Sequence, residues 1–216
     1  HEILFIQQSP DCSPSTPEHF APLEKGITMI YYDNAFRLRI RHTSVYQIHQ
    51  HLDFFMQERK GEKLPYSFKI FPGTGDDSLL LVRTATALEL PGEKKRELIL
   101  SEGHEIKFIT LMAIFHKGTK SEGRGRRQFA PSEEASYQLA LTKLAKAGFK
   151  PGQIVVSGPK FVHIDKGNAG RGFTLPVFTV QGTAIISNQQ EAEVGIVYGV
   201  GPKRVFGCGF MHLAGQ

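Results

Sequence analysis

The chain has 216 residues, 40% of them hydrophobic and 22% charged, a balance that excludes a disordered or fibrous polypeptide and leaves room for one large core or two small ones. Twenty-six Lys and Arg against 21 Asp and Glu give a formal net charge of +5, with a pI near 9.2, which favours a polyanionic partner. Two cysteines, Cys12 and Cys208, have neither the density nor the spacing of a disulfide framework or a zinc site. No apolar run is long enough to span a bilayer and the start lacks the pattern of a signal peptide, so the expectation is a cytoplasmic protein with no membrane partner, metal or cofactor.

Residues 1–26 open on a strand-like Ile3-Leu4-Phe5-Ile6. They pass through a Pro/Ser/Thr-rich stretch, Ser9 to Pro17, that holds neither a ladder nor a helix, and form an N-terminal extension. Two short strands are expected next, Ile27 to Tyr32 and Phe36 to Ile40, flanking a turn at Asp33-Asn34. A helix follows, with Ser44 as its N-cap and Val45, Ile48, Leu52, Phe55 and Met56 recurring at helical spacing as its buried stripe. His49 falls at the margin of that stripe. Tyr46, three residues earlier, lies on the same flank, so both side chains are expected at a surface cleft. Gly61 and Pro65 end the helix. Strands at Tyr66 to Phe71, Leu79 to Ala85 and, more weakly, Leu98 to Leu100 complete residues 27–100. Between the last two, Leu88 to Arg96 is a poor second helix, and the whole reads as an incomplete βαββαβ unit.

Residues 101–216 begin with a strand from Ile106 to Phe115. A glycine-broken segment follows that carries Lys117, Lys120, Arg124, Arg126 and Arg127, five cations within eleven residues. The clearest helix of the chain is opened by Pro131-Ser132-Glu133-Glu134 and stopped by Gly148. Strands at Ile154 to Val156 and Phe161 to Ile164, a glycine turn from Gly167 to Gly172, a long strand from Phe173 to Ile186 and a short helix from Gln189 to Val194 complete a second ferredoxin-like, RRM-like order. The expected fold is therefore α+β, two tandem ferredoxin-like domains at 27–100 and 101–216.

The last stretch, Tyr198 to Leu213, sets Gly199, Gly201, Gly207 and Gly209 around the adjacent cations Lys203 and Arg204. A glycine-rich turn lets backbone N–H groups approach an oxyanion closely, and the cations add charge at the same place. A P-loop would need Gly-Lys-Ser/Thr followed by a helix. A dinucleotide fingerprint would have to open a βαβ unit, and neither fits these flanks.

Gly199-x-Gly201-Pro202, Gly207-Cys208-Gly209 and Leu213-Ala214 together resemble the C-terminal glycine-rich loop of the repeat-associated mysterious protein superfamily. Within it they resemble the CasE type of CRISPR-RNA-processing endoribonuclease. Three further stretches resemble the same enzymes: Tyr46-Gln47-Ile48-His49-Gln50-x-Leu52, the strand, basic insertion and helix running to Gly148-Phe149, and Gly170-Arg171 leading into the Phe173 strand. The resemblance covers residues 27–216 and is weak between 60 and 100. It implies an enzyme that cleaves CRISPR precursor RNA within each repeat, next to a stem-loop, and joins a CRISPR surveillance complex. It also implies an alternative, a subunit that binds the repeat RNA without cutting it.

Such an enzyme works without a metal by having the neighbouring 2′-hydroxyl attack the scissile phosphate. His49, with an ordinary pKa of about 6.5, suits proton transfer. Tyr46 would orient the nucleophile or donate to a phosphate oxygen. Arg171 stands where the relatives have a lysine, and its high pKa suits charge stabilisation rather than proton donation. The cations from Lys117 to Arg127, with Lys203 and Arg204, suit phosphate contacts to an RNA stem. The chain shows no RRM-type aromatic stacking strand.

Overall fold

The computed structural model describes residues 27–117, 128–167 and 172–214, so the N-terminal extension lies outside the described residues. Two four-stranded antiparallel sheets form the frame. The first takes β1 (Ile27–Leu38), β2 (Tyr66–Pro72), β3 (Ser78–Thr84) and β4 (Lys94–Leu100) in the order β2-β3-β1-β4. The second takes β5 (Glu105–Ala113), β8 (Phe149–Ile164), β9 (Phe173–Ile186) and β10 (His212–Leu213) in the order β10-β5-β9-β8. Read from the edge strand, each sheet has its fourth, first, third and second strands side by side, the ferredoxin-like permutation repeated. A separate hairpin, β6 (His116–Lys117) with β7 (Gln128–Phe129), projects between β5 and the next helix.

Helix α1 (Val45–Lys60) forms because Val45, Ile48, Leu52 and Met56 line one buried side, and the last three pack against Phe68, Leu80 and Val82 of the first sheet. Gly61 closes it in the left-handed conformation at φ 73°, its N–H donating to Gln57. Phe55 is only partly buried, and Ser44 occupies the N-cap without a side-chain hydrogen bond. The second sheet is covered by α2 (Glu133–Ala145), capped by Ser132 through the Ala135 N–H, and by α3 (Gln189–Tyr198), capped by Asn188 through the Glu191 N–H. No helix joins β3 to β4. That connection is held instead by the Glu93 carboxylate, which accepts from the Leu88 and Glu89 N–H groups and from Asn34.

Three expectations need correction. Asp33-Asn34 is no turn: β1 runs unbroken through it. Asp33 and Asn34 are buried, Asp33 paired with Arg83 at 2.8 Å and Asn34 donating to Glu93 at 2.9 Å, so partners distant in sequence satisfy groups that would otherwise break a strand. The two short strands at Ile154 and Phe161 are one strand, β8, bent by two irregularities in register. Leu88 to Arg96 forms no helix, and its last three residues open β4, which begins at Lys94.

The largest apolar core draws on both sheets: Met29, Tyr31 and Leu100 pack with Phe108, Phe149, Ile196 and Met211. Arg83, 2% exposed, crosses this junction. It is sandwiched between the Tyr31 and Phe210 rings, pairs with Asp33, and donates to the carbonyls of Met211 at 2.9 Å and Ile196 at 3.3 Å. Ser67 adds a second tie, donating to the Val197 carbonyl at 2.6 Å. Among the described residues no helix is long and apolar enough to cross a membrane.

Candidate active site

His49 sits at the edge of the apolar stripe of α1, its side chain 17% exposed. Its Nδ1 lies 3.2 Å from the Tyr66 hydroxyl and 3.4 Å from Asp53 Oδ1, one helical turn further on. The Tyr66 hydroxyl donates to Asp53 Oδ1 at 2.7 Å, and Lys63 holds the other carboxylate oxygen at 3.0 Å. Because the one Tyr66 proton is given to Asp53, its oxygen is left to accept. That assigns the proton of a neutral imidazole to Nδ1 and the lone pair to Nε2.

The charges agree with this arrangement. Burial, the largest influence, pushes His49 below the ordinary histidine value. Asp53 opposes that shift and Lys63 adds to it. Burial pushes the Asp53 carboxyl up, but the hydrogen bonds from Tyr66 and Lys63 and the nearby His49 and Lys63 charges outweigh it and hold it below the usual carboxylate range. Burial and the Asp53 carboxylate push the Tyr66 phenol far above its ordinary value, so it remains a donor.

The glycine-rich loop supplies the other wall. The Phe206 ring meets His49 edge-on at 6.1 Å and Phe173 at 5.6 Å. Lys203 Nζ stands 4.9 Å over the Phe173 ring and 5.9 Å over Phe206, and Lys166 Nζ stands 5.7 Å over Phe173 from the opposite segment. The loop is folded tightly on itself: the Val200 N–H donates to Gly209 at 2.9 Å and the Gly209 N–H to Leu111 of β5 at 2.6 Å. A Cβ on Gly209, whose φ is 86°, would collide with the Val200 backbone. The N–H groups of Gly199, Val200, Phe206, Gly207 and Gly209 all donate within the protein. The glycines at those positions give the loop its shape, and its positive charge comes from the Lys203 and Arg204 side chains.

The fold thus brings His49 and the loop together through Phe206. Tyr46 lines an adjoining recess of about 540 Å³ with Gln47, Gln50, His163 and Lys166. A second recess, of about 370 Å³, shares Thr43 and His163 with it and reaches Phe206 and Gly207, so one groove runs from the start of α1 to the loop. Arg204 donates weakly to the Tyr198 and Gly199 carbonyls, at 3.5 Å each, at the end of α3. Arg171, Lys120, Arg124, Arg126 and Arg127 lie outside the described residues, and Lys117 is placed only by its backbone pairing with Gln128. Cys208 is buried, its thiol pushed up to about 12 chiefly by that burial, which suits packing and not nucleophilic attack.

Sequence reasoning missed Asp53, Tyr66, Lys166, Phe173 and Phe206. Asp53 was legible as the residue four after His49 on the same helix flank. Tyr66 carried no such signal.

A family model described as CRISPR associated protein matches residues 37–215. The chain belongs to this CRISPR-associated family. The match takes in α1, the Asp53–Tyr66 pair and the whole glycine-rich loop, and leaves out residues 1–26 and most of β1. A search of curated protein sequences gives no match. Solved structures share the fold: Thermus thermophilus Cse3 bound to an RNA representing a pre-cleavage complex is 14% identical, with a TM-score of 0.64 over 86% of this chain and 99% of that one. Cas6e from Escherichia coli K-12 is 18% identical, with a TM-score of 0.61 over 86% of this chain and 100% of that one. A chain of a CRISPR RNA-guided surveillance complex in a pre-nicking state is 19% identical, with a TM-score of 0.58 over 85% and 99%. The likeness to the CasE type is one of overall fold, over 85–86% of this chain.

Proposed function

We propose that the protein is an endoribonuclease that cuts CRISPR repeat RNA beside a stem-loop without a metal ion, with His49 as its proton-transfer group. The observation that carries this reading is the Nδ1 side of His49 held by Tyr66 and Asp53 while its ring abuts the cationic glycine loop. Nε2 takes the proton of the 2′-hydroxyl. The 2′-oxygen bonds to phosphorus, the bond from phosphorus to the 5′-oxygen breaks, the leaving oxygen takes a proton from solvent, to which His49 later returns its own, and the products are a 2′,3′-cyclic phosphate and a 5′-hydroxyl. Tyr46 orients the nucleophile or donates to a phosphate oxygen. Arg171 and Lys203 balance the charge that develops on the phosphate. Lys117, Lys120, Arg124, Arg126 and Arg127 grip the stem, with Arg204 beside the loop that Gly199, Gly201, Gly207 and Gly209 shape. The proteins of like fold named above include one bound to RNA and one within a surveillance complex, and the reading extends both associations to this chain.

The test is cleavage of a labelled repeat stem-loop in EDTA by the intact protein and by His49→Ala, with binding measured in parallel. The expected result is cutting by the intact protein, cyclic-phosphate ends, and loss of cutting with retained binding in the variant. Binding without cutting by the intact protein moves the assignment to an RNA-holding subunit.

A further inference from the structure

A cavity of about 540 Å³ that shares no lining residue with the groove beside His49 opens between the end of α2, helix α3 and the glycine loop. We propose that it is a nucleotide subsite, in which Lys143, Lys146 and Arg204 hold a phosphate of the bound RNA and the apolar floor receives the attached base. The proposal rests on the RNA-processing reading and extends it to a cavity of which that reading uses only Arg204 and the glycine loop.

Two features of the cavity carry the inference. The first is uncompensated charge. Lys143 and Lys146, three residues apart at the end of α2, share the cavity with Arg204, against Glu191 as the carboxylate among its lining residues. Among the described residues neither lysine lies within ion-pair distance of a carboxylate. Burial, reinforced by Lys146, holds the Lys143 ammonium below the ordinary lysine value, a tension that an arriving anion relieves. The second feature is the floor, formed by Val194, Val200 and Pro202, with Val194 left 49% exposed. A bare phosphate would leave that surface wet, whereas a nucleotide covers it with a base face.

Continuity favours RNA over a free nucleotide. Lys203 faces Phe173 and Phe206 on one side of the loop, and Arg204, the next residue, lines this cavity on the other. A strand crossing the turn meets both cations, so the loop is a saddle between two phosphate positions.

The double variant Lys143→Met/Lys146→Gln shortens each side chain by one heavy atom and removes its charge. Losing the charges that neutralise one single-strand phosphate makes the salt dependence of repeat-RNA binding shallower by about 0.7 in log K against log salt, and binding about fourfold weaker near 0.15 M. RNA carrying 4-thiouridine crosslinks to the segment from Val194 to Arg204 in the intact protein and loses that crosslink in the variant. An unchanged slope with an unchanged crosslink overturns the proposal. Titration with adenosine 5′-monophosphate and with inorganic phosphate, followed by thermal shift, needs no RNA. Stabilisation by the nucleotide in the intact protein and not in the variant supports the cavity. If the intact protein binds no repeat RNA, the RNA-processing reading fails, and the same titration then decides the cavity separately, with a free nucleotide as its occupant.

Discussion

Replacing Asp53 by Asn tests the chemistry of the site at one atom. An imidazolium and a carboxylate 3.4 Å apart attract by about 1.2 kcal/mol at the dielectric of water and by about 5 kcal/mol at an effective value of 20. The two side chains are 17% and 25% exposed and Lys63 draws on the same carboxylate, so screening selects the lower part of that range. Removing an influence that raises the His49 pKa lowers it. The neutral base then persists to more acid solution, and the acid limb of the single-turnover rate against pH moves to lower pH. The Asn amide oxygen in the place of Oδ1 still accepts from Tyr66 and still faces Nδ1, while its NH₂ takes the place of Oδ2 beside Lys63, so the tautomer with the proton on Nδ1 is kept. The plateau therefore falls only a few-fold, as expected of a base weakened by loss of the carboxylate but still correctly oriented. The assay is single-turnover cleavage of labelled repeat RNA in EDTA between pH 4.5 and 8. An acid limb at the wild-type position, in a protein whose His49→Ala variant is dead, refutes the coupling between Asp53 and the catalytic group.

Gly209→Ala places a methyl against the Val200 backbone and forces a glycine at φ 86° into a side-chain-bearing residue, so a stability loss of about 1–3 kcal/mol is expected by denaturant titration, with cleavage lost more steeply than stability. His49, depressed by burial, contributes stability that is full above its unfolded pKa of about 6.5 and is lost as pH falls through the folded value. Thermal melts of His49→Gln between pH 5 and 8 are accordingly flatter than those of the wild type across that window, and parallel curves contradict the assignment.

The legible parts of the sequence were those fixed by local rules. The stripe of α1, the Ser132 cap, the Gly61 stop and the long β9 pattern all follow from period and capping, and the repeated strand order follows from them. Asp33-Asn34 shows where local rules stop. Two polar residues that break a strand in isolation are held inside one by Arg83, fifty residues on, and by Glu93. The same limit hid Phe206 and Phe173: their value lies in meeting His49, Lys166 and Lys203 across the groove, and no spacing in the sequence encodes that meeting. His49 and Tyr46 were legible because one helix flank carries both. Their separate surroundings, a Tyr66–Asp53 pair for one and an adjoining recess for the other, were not.

Arg83 links stability to the site. It donates to the carbonyls of Ile196 and Met211, which stand just before and just after the glycine loop, so one guanidinium from β3 holds both feet of the loop that brings Phe206 to His49. Helix α1, which carries His49, packs on Leu80 and Val82 of the same strand. The site is thus closed in a circuit through β3, the loop and α1. Arg83→Met leaves the buried Asp33 carboxylate with Arg96 alone, 3.8 Å away, and is expected to cost about 3 kcal/mol, the lower end for a broken buried pair. Adding Asp33→Leu removes the stranded charge and replaces the ion pair by apolar packing, so most of that stability returns. The two carbonyls remain without their donor in the double variant. Its melting temperature is therefore expected near that of the wild type while its single-turnover cleavage rate stays about tenfold down, because misplacement by a fraction of an ångström suffices to slow proton transfer. Recovery of rate in step with stability would show that the loop keeps its position without the clamp, and that Arg83 serves folding alone.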